Sequence, residues 1–169
     1  MRTRYGNPLA ALVGMSFLLT ACGFQPLYSQ RGSGPAVQAE LATIAVEVKK
    51  NRLERLVYSS LLDELTPLGA PATPAYHLEV TLEAIRTGVG FEEDDSATRF
   101  NFQLLGTWRL IDAESREVLF QSASRSIAAY NVVTSQFATL TAEKDAEERT
   151  AVDLARDIQL QLSLHFRQF

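Results

Sequence analysis

Hydrophobic and polar positions along the chain alternate with two different periods, and the changes between them mark out the elements. From Leu41 to Val48, Ala42, Ile44, Val46 and Val48 share one side, the pattern of a short strand. The period then lengthens. Leu53, Leu56, Val57, Leu61 and Leu65 fall at helical spacing behind Asn51, a residue suited to cap a helix, and Pro67 and Gly69 stop it. A loop through Pro71 to Pro74 leads into a second strand. There Tyr76, Leu78, Val80, Leu82 and Ala84 alternate with His77, Glu79, Thr81 and Glu83. Beyond Gly88, Gly90 and the acidic run Glu92–Asp95, expected to form a solvated turn, comes a third strand. Phe100, Phe102, Leu104, Gly106, Trp108 and Leu110 make its apolar side, and Arg99, Asn101, Gln103, Thr107 and Arg109 its polar side.

The fourth strand, Glu117 to Tyr130, has two competing phases. Val118 and Phe120 point one way, while Leu119, Ala123 and Ile127 point the other, and a bulge near Gln121 would reconcile them. From about Thr141 to Arg167 there is neither glycine nor proline. Ala151, Ala155, Ile158, Leu162 and Phe166 form a helical stripe, and acidic residues gather near its start. The order β-α-β-β-β-α predicts an α+β fold: a four-stranded, mostly antiparallel sheet with two helices packed on one face.

Composition adds what the pattern leaves open. The chain has 169 residues, 46% hydrophobic, enough for one ordinary core. Its formal charge of −4 argues against general nucleic-acid binding, which needs a basic footprint. One cysteine and two histidines cannot build a disulfide scaffold or a structural zinc site, and no metal is expected.

The single cysteine, Cys22, lies behind a distinct leader. Arg2 and Arg4 precede an uncharged apolar run from Pro8 to Ala21. Those fourteen residues fall short of the about 20 that a transmembrane helix needs, but suit the core of a signal peptide. Leu19-Thr20-Ala21-Cys22 resembles the lipobox of bacterial lipoproteins. That resemblance implies cleavage after Ala21 and a covalent N-acyl and S-diacylglycerol lipid (palmitate-type chains) on Cys22, with no other cofactor. Gly23 at the following position implies an outer-membrane, periplasm-facing location. Two or three acyl chains anchor a protein stably where one does not. The expected organisation is a signal peptide over 1–21, a lipidated tether over 22–38 and one domain over 39–169. Loss of Arg2 and Arg4 moves the formal charge from −4 to −6.

Enzyme chemistry finds little support. His77 and His165 read as surface histidines outside any nucleophile motif, and Gly88 and Gly90 precede no helix, so they are not a phosphate loop. The stretch Cys22-Gly-Phe-Gln-Pro-Leu-Tyr28 resembles the start of the LptE lipoproteins of alphaproteobacterial type. So do Tyr130-Asn131, Phe137-Ala138 and Ala142 to Arg149 running on to Leu154-Ala155, Ile158 and Leu162. The resemblance implies a non-enzymatic subunit that plugs a large LptD-type β-barrel and takes part in lipopolysaccharide assembly at the outer membrane. Contact with a phosphorylated lipid would fall to basic side chains, with Arg99, Arg109, Arg125 and Lys144 as candidates; Lys144 is expected near a loop-to-helix boundary. Two other classes stay open: an accessory lipoprotein of an ABC-type lipid transport system, and a periplasmic hydrolase using Ser122 or Ser124.

Overall fold

The computed structural model describes residues 35–47, 51–91 and 97–167. Cys22, the leader over 1–21, the greater part of the tether, Val48 and the acidic run Glu92–Asp95 lie outside them. The first element is a short helix, α1 (Pro35–Leu41), followed by strand β1 (Ile44–Glu47) and helix α2 (Arg52–Leu65). Three long strands come next, β2 (Tyr76–Phe91), β3 (Ala97–Asp112) and β4 (Val118–Asn131), and helix α3 (Gln136–Phe166) closes the chain.

Helix α1 stands where the tether was expected to run to Gln38 and a strand to begin at Leu41. Proline suits the first helical position, and Val37 and Leu41, one turn apart, are both buried. A stripe of two residues behind a Pro-Gly stretch is too short to show as a period. The strand therefore starts at Ile44, with Ile44 and Val46 turned to the core as predicted.

Asn51 caps α2 from both sides. Its side chain accepts from Glu54 N–H at 2.8 Å, while its own N–H donates to the Glu54 carboxylate at 3.1 Å. Val57, Leu61 and Leu65 bury the predicted stripe. The sheet order is β1-β2-β3-β4, with β1 parallel to β2 through the α2 crossover and the other pairs antiparallel. The sheet is mixed, and α2 and α3 pack against one face of it, as the α+β reading has it. The two helices run in the same direction. Arg52 near the start of α2 pairs with Glu147 on α3, and Glu64 near its end pairs with Arg156 at 3.1 Å.

On β3, Phe102, Leu104, Gly106, Trp108 and Leu110 of the predicted apolar side are buried, and Phe100 is partly buried against the core. Helix α3 comes close at Gly106: a Cβ there would sit 3.1 Å from a Leu154 methyl. The β4 phase resolves with Phe120, Ser122, Ser124, Ser126, Ala128 and Tyr130 turned inward and Ile127 outward. The irregularity is at Leu119, not Gln121. Leu110 faces Phe120 and Ile111 faces Val118, which leaves Leu119 as the extra residue.

Helix α3 starts five residues earlier than the glycine- and proline-free run suggests. Ser135 caps it, accepting from Ala138 N–H at 3.4 Å, and the Thr139 hydroxyl bonds both N–H and C=O of Val133, at 3.1 and 3.2 Å. Its core stripe is rich in small residues (Ala146, Thr150, Ala151, Ala155), which lets the 31-residue helix lie close on the sheet. Among the described residues, no helix is long and apolar enough to cross a membrane.

Candidate functional site

Among the described residues the opposite face of the sheet carries no helix, and it holds the polar side of all three long strands. Strand register sets its side chains in rows. Glu79, Arg109 and Gln121 form one, Thr81, Thr107 and Ala123 the next, then Glu83, Leu105 and Arg125. Ile85, Gln103 and Ile127 follow, then Thr87, Asn101 and Ala129, and last Arg99 beside Asn131. Directly opposed positions in antiparallel strands have Cβ atoms about 5 Å apart, so each row is a contact set.

The register brings Arg99, Arg109 and Arg125 to this one face without gathering them. Arg99 and Arg109 are ten residues apart on one strand, about 33 Å. Arg109 is paired with Glu79, its cross-strand neighbour, above a concavity of about 440 Å³ lined also by Thr81, Thr107, Gln121 and Ser122. Lys144 lies elsewhere, exposed on α3 in the helical layer. Because α3 begins at Gln136, Lys144 is in the third turn, away from the free amide groups of the helix start.

The remaining chemistry-bearing residues have structural work. His77 Nδ1 is 3.4 Å from the Glu47 carboxylate on the helix-free face. His165 is half-buried, not a plain surface residue: its ring stacks on Phe120 at 4.6 Å, with Phe166 edge-on at 5.6 Å. Ser122 donates to Gln161 Oε1 at 2.6 Å, and Ser124 accepts from the Trp108 indole N–H at 3.2 Å and from Gln161 Nε2 at 3.1 Å. The Gln161 bonds tie α3 to β4 and the Trp108 bond ties β3 to β4, and none of them gives either hydroxyl the adjacent base that a serine nucleophile requires. Among the described residues, no three histidine, cysteine, aspartate or glutamate side chains gather as a metal site.

Two further features escaped the sequence pattern. One is a concavity of about 500 Å³ lined by Ala36, Val37, Glu40, Tyr76, Leu119, His165 and Phe166, at the end where α1 begins. Tyr76 OH donates to Glu40 at 3.2 Å there, and burial, then the Glu40 charge, raises its pKa above the ordinary tyrosine value. The other is a set of outward apolar side chains. Ile85 and Ile127 interrupt the polar face, 40% and 48% exposed, and Phe137, 80% exposed, stands on the first turn of α3 near Val133 and Leu140. Alternation identifies which side of a strand is wet, but only the pairing register shows that Ile85 and Ile127 share a row.

One family model matches most of the chain. The model of LptE, described as lipopolysaccharide-assembly, matches residues 41–162, from β1 through most of α3. An uncharacterized protein of Rickettsia prowazekii (strain Madrid E) is 24% identical over 155 residues, covering 92% of this chain and 95% of its own. Among solved structures, a putative lipoprotein from Caulobacter crescentus CB15 superposes with a TM-score of 0.68 at 26% identity, covering 79% of this chain and 96% of its own. The rare lipoprotein B from Shewanella oneidensis shares the fold at 12% identity, with a TM-score of 0.54 over 73% of this chain and 93% of its own.

Proposed function

Because the chain belongs to the LptE lipopolysaccharide-assembly family, we propose that it is an outer-membrane lipoprotein, anchored through lipid on Cys22, that docks its helix-free sheet face within an LptD-type β-barrel. In that complex it serves as plug and assembly factor for lipopolysaccharide transport, and it carries out no catalysis of its own. The observation that carries the reading is the composition of that face. Thr81, Thr107, Asn101, Gln103 and Gln121 present amide and hydroxyl groups across three strands, and the Arg109 charge is matched by Glu79. The interior of a wide outer-membrane barrel is polar, so a plug needs hydrogen-bonding groups and balanced charge on its outer surface. Arg99, Arg109, Arg125 and Lys144 are its candidates for contact with the phosphates of lipopolysaccharide.

The test is isolation of the lipidated chain from detergent-solubilised outer membrane. A barrel protein of high mass is expected to co-purify, and to be lost when Thr107 and Gln103 are both changed to Leu. Recovery with permease or shuttle components of an inner-membrane transporter would instead support the accessory-lipoprotein reading. A Cys22→Ser chain is expected to lose its lipid and its membrane fractionation; retention of both would remove the anchor from the proposal.

A further inference from the structure

Strand β1 is four residues long, while β2, its neighbour, has sixteen. Pairing between them ends at Glu47 opposite Glu79. Even if the next three residues continued it, they would reach only Leu82, because the chain has turned into the α2 cap by Asn51. From Glu83 to Gly88 one edge of β2 therefore has no neighbouring strand among the described residues.

The identity of the unpaired groups follows from the alternation of antiparallel bonds. Val132 N–H donates to Thr98 C=O, so even-numbered residues of β3 bond β4 and odd-numbered ones bond β2. In the β2–β3 register odd faces odd, as with Thr81 and Thr107, so the even-numbered residues of β2 turn their backbone groups outward. Ala84 and Arg86 are exposed as whole residues, and Leu82 is half-buried.

The other long edge is treated differently. On β4 the outward carbonyl of Ala123 accepts from Gln161 at 3.5 Å and that of Ala129 from Arg149 at 3.4 Å, so α3 lays side chains over the edge at both ends. Open edges are ordinarily blunted by such cover, by proline or lysine, or by brevity. Along Glu83–Gly88 there is neither proline nor lysine, and the charges there are Glu83 and Arg86, the latter paired through its side chain with Glu143 of α3. The side chains also ask for a neighbour. Glu83 makes no ion pair among the described residues, and Ile85, two positions on and on the same face, exposes apolar surface.

We propose that the unpaired half of β2 receives an extended segment of the barrel partner as an added strand, its main chain bonding Ala84 and Arg86, with a basic side chain beside Glu83 and an apolar one beside Ile85. This rests on the barrel-docking reading above. Main-chain bonds would supply affinity in this mode, and the Glu83 and Ile85 positions the selectivity. The strand continues the line of β1, so the sheet stays four strands wide where β1 stops.

The experiment is residue-resolved hydrogen exchange on the lipidated full chain in detergent, alone and co-purified with its barrel. Amides of Ala84 and Arg86 are expected to slow by at least about tenfold in the complex, while those of Thr81 and Glu83, already bonded to β3, change little. Glu83→Lys should cut that protection several-fold, whereas Glu148→Lys on α3 should not. If the barrel co-purifies and the Ala84 and Arg86 amides exchange as in the free chain, strand addition is refuted and the docking reading stands. If no barrel co-purifies, both fall. Protection that rises with concentration in the free chain would make the occupant a second copy, and would also overturn the proposal.

Discussion

Replacing Gly106 with alanine sets two physical effects against each other at the point where α3 meets the sheet. An alanine in mid-strand is favoured over glycine by roughly 0.5–1 kcal/mol, because the unfolded chain has less freedom to lose. Against that, the new methyl would stand 3.1 Å from one Leu154 methyl and 3.5 Å from a Leu82 methyl. Leu154 is fully buried beneath a stripe that includes Ala151, Ala155 and Ile158, so it has little room to turn away. Overpacking of this kind costs about 1–3 kcal/mol. The net expectation is a loss of about 1 kcal/mol for Gly106→Ala, and more for Gly106→Val. Urea unfolding of the unlipidated Cys22→Ser chain reads it directly. Leu154→Ala alone should cost about 2–5 kcal/mol, since it opens a cavity in the core. Combined with Gly106→Ala it should cost less than the sum by about 1 kcal/mol, because the added methyl enters the space that leucine leaves. Additive losses, or a Gly106→Ala chain more stable than the parent, would refute the close approach.

Other expectations can be checked on the same unlipidated chain. Ser124→Ala removes the acceptor of the buried Trp108 indole N–H and should cost about 1–3 kcal/mol, with a shift in Trp108 fluorescence. Asn51→Ala removes half of the α2 capping box and should cost about 1 kcal/mol by thermal unfolding. Asp112 accepts N–H bonds from Ser115 at 2.7 Å and Glu114 at 3.0 Å, and these hold its carboxyl below the usual aspartate value. A depressed folded-state value contributes stability above the unfolded pKa that is lost as pH falls through the folded one. Asp112→Asn should therefore be less stable than the parent at neutral pH, with the difference closing in acid. In the lipidated chain, the Arg99→Glu, Arg109→Glu pair should weaken photo-crosslinking to lipopolysaccharide; an unchanged yield would count against contact through this face.

Much of the core was legible residue by residue. The i, i+3, i+4 spacing behind Asn51 gave α2 its buried stripe, and alternation from Phe100 to Leu110 gave β3 its inner side. Two misreadings have clear causes. Helix α1 buries just Val37 and Leu41, too few positions to establish a period, and its proline and neighbouring glycines read as linker. The alternation of β4 points to a bulge near Gln121, because a change of phase can be absorbed anywhere along a strand. Its place at Leu119 depends on pairing with Leu110 and Ile111 of β3. The four basic candidates were legible only as residue types. Whether they cluster, share a face or stand apart is a matter of register, which put three on one face and left Lys144 on α3.

What the sequence determined by itself is therefore local. It set the type of each main element, the inward side of each strand and, through its leader and Cys22, the expectation of a lipid anchor. The tertiary structure decided the relations between distant segments: β1 beside β2 in parallel, both long helices on one face, and, among the described residues, a sheet face without a helix and half a strand edge without a neighbour. The reason is that period and capping are written in neighbouring residues, whereas register and strand order are chosen by how whole apolar faces fit together. With β1 four residues long and β2 sixteen, that fit covers the start of β2 and, among the described residues, leaves Glu83 to Gly88 without a strand on one edge.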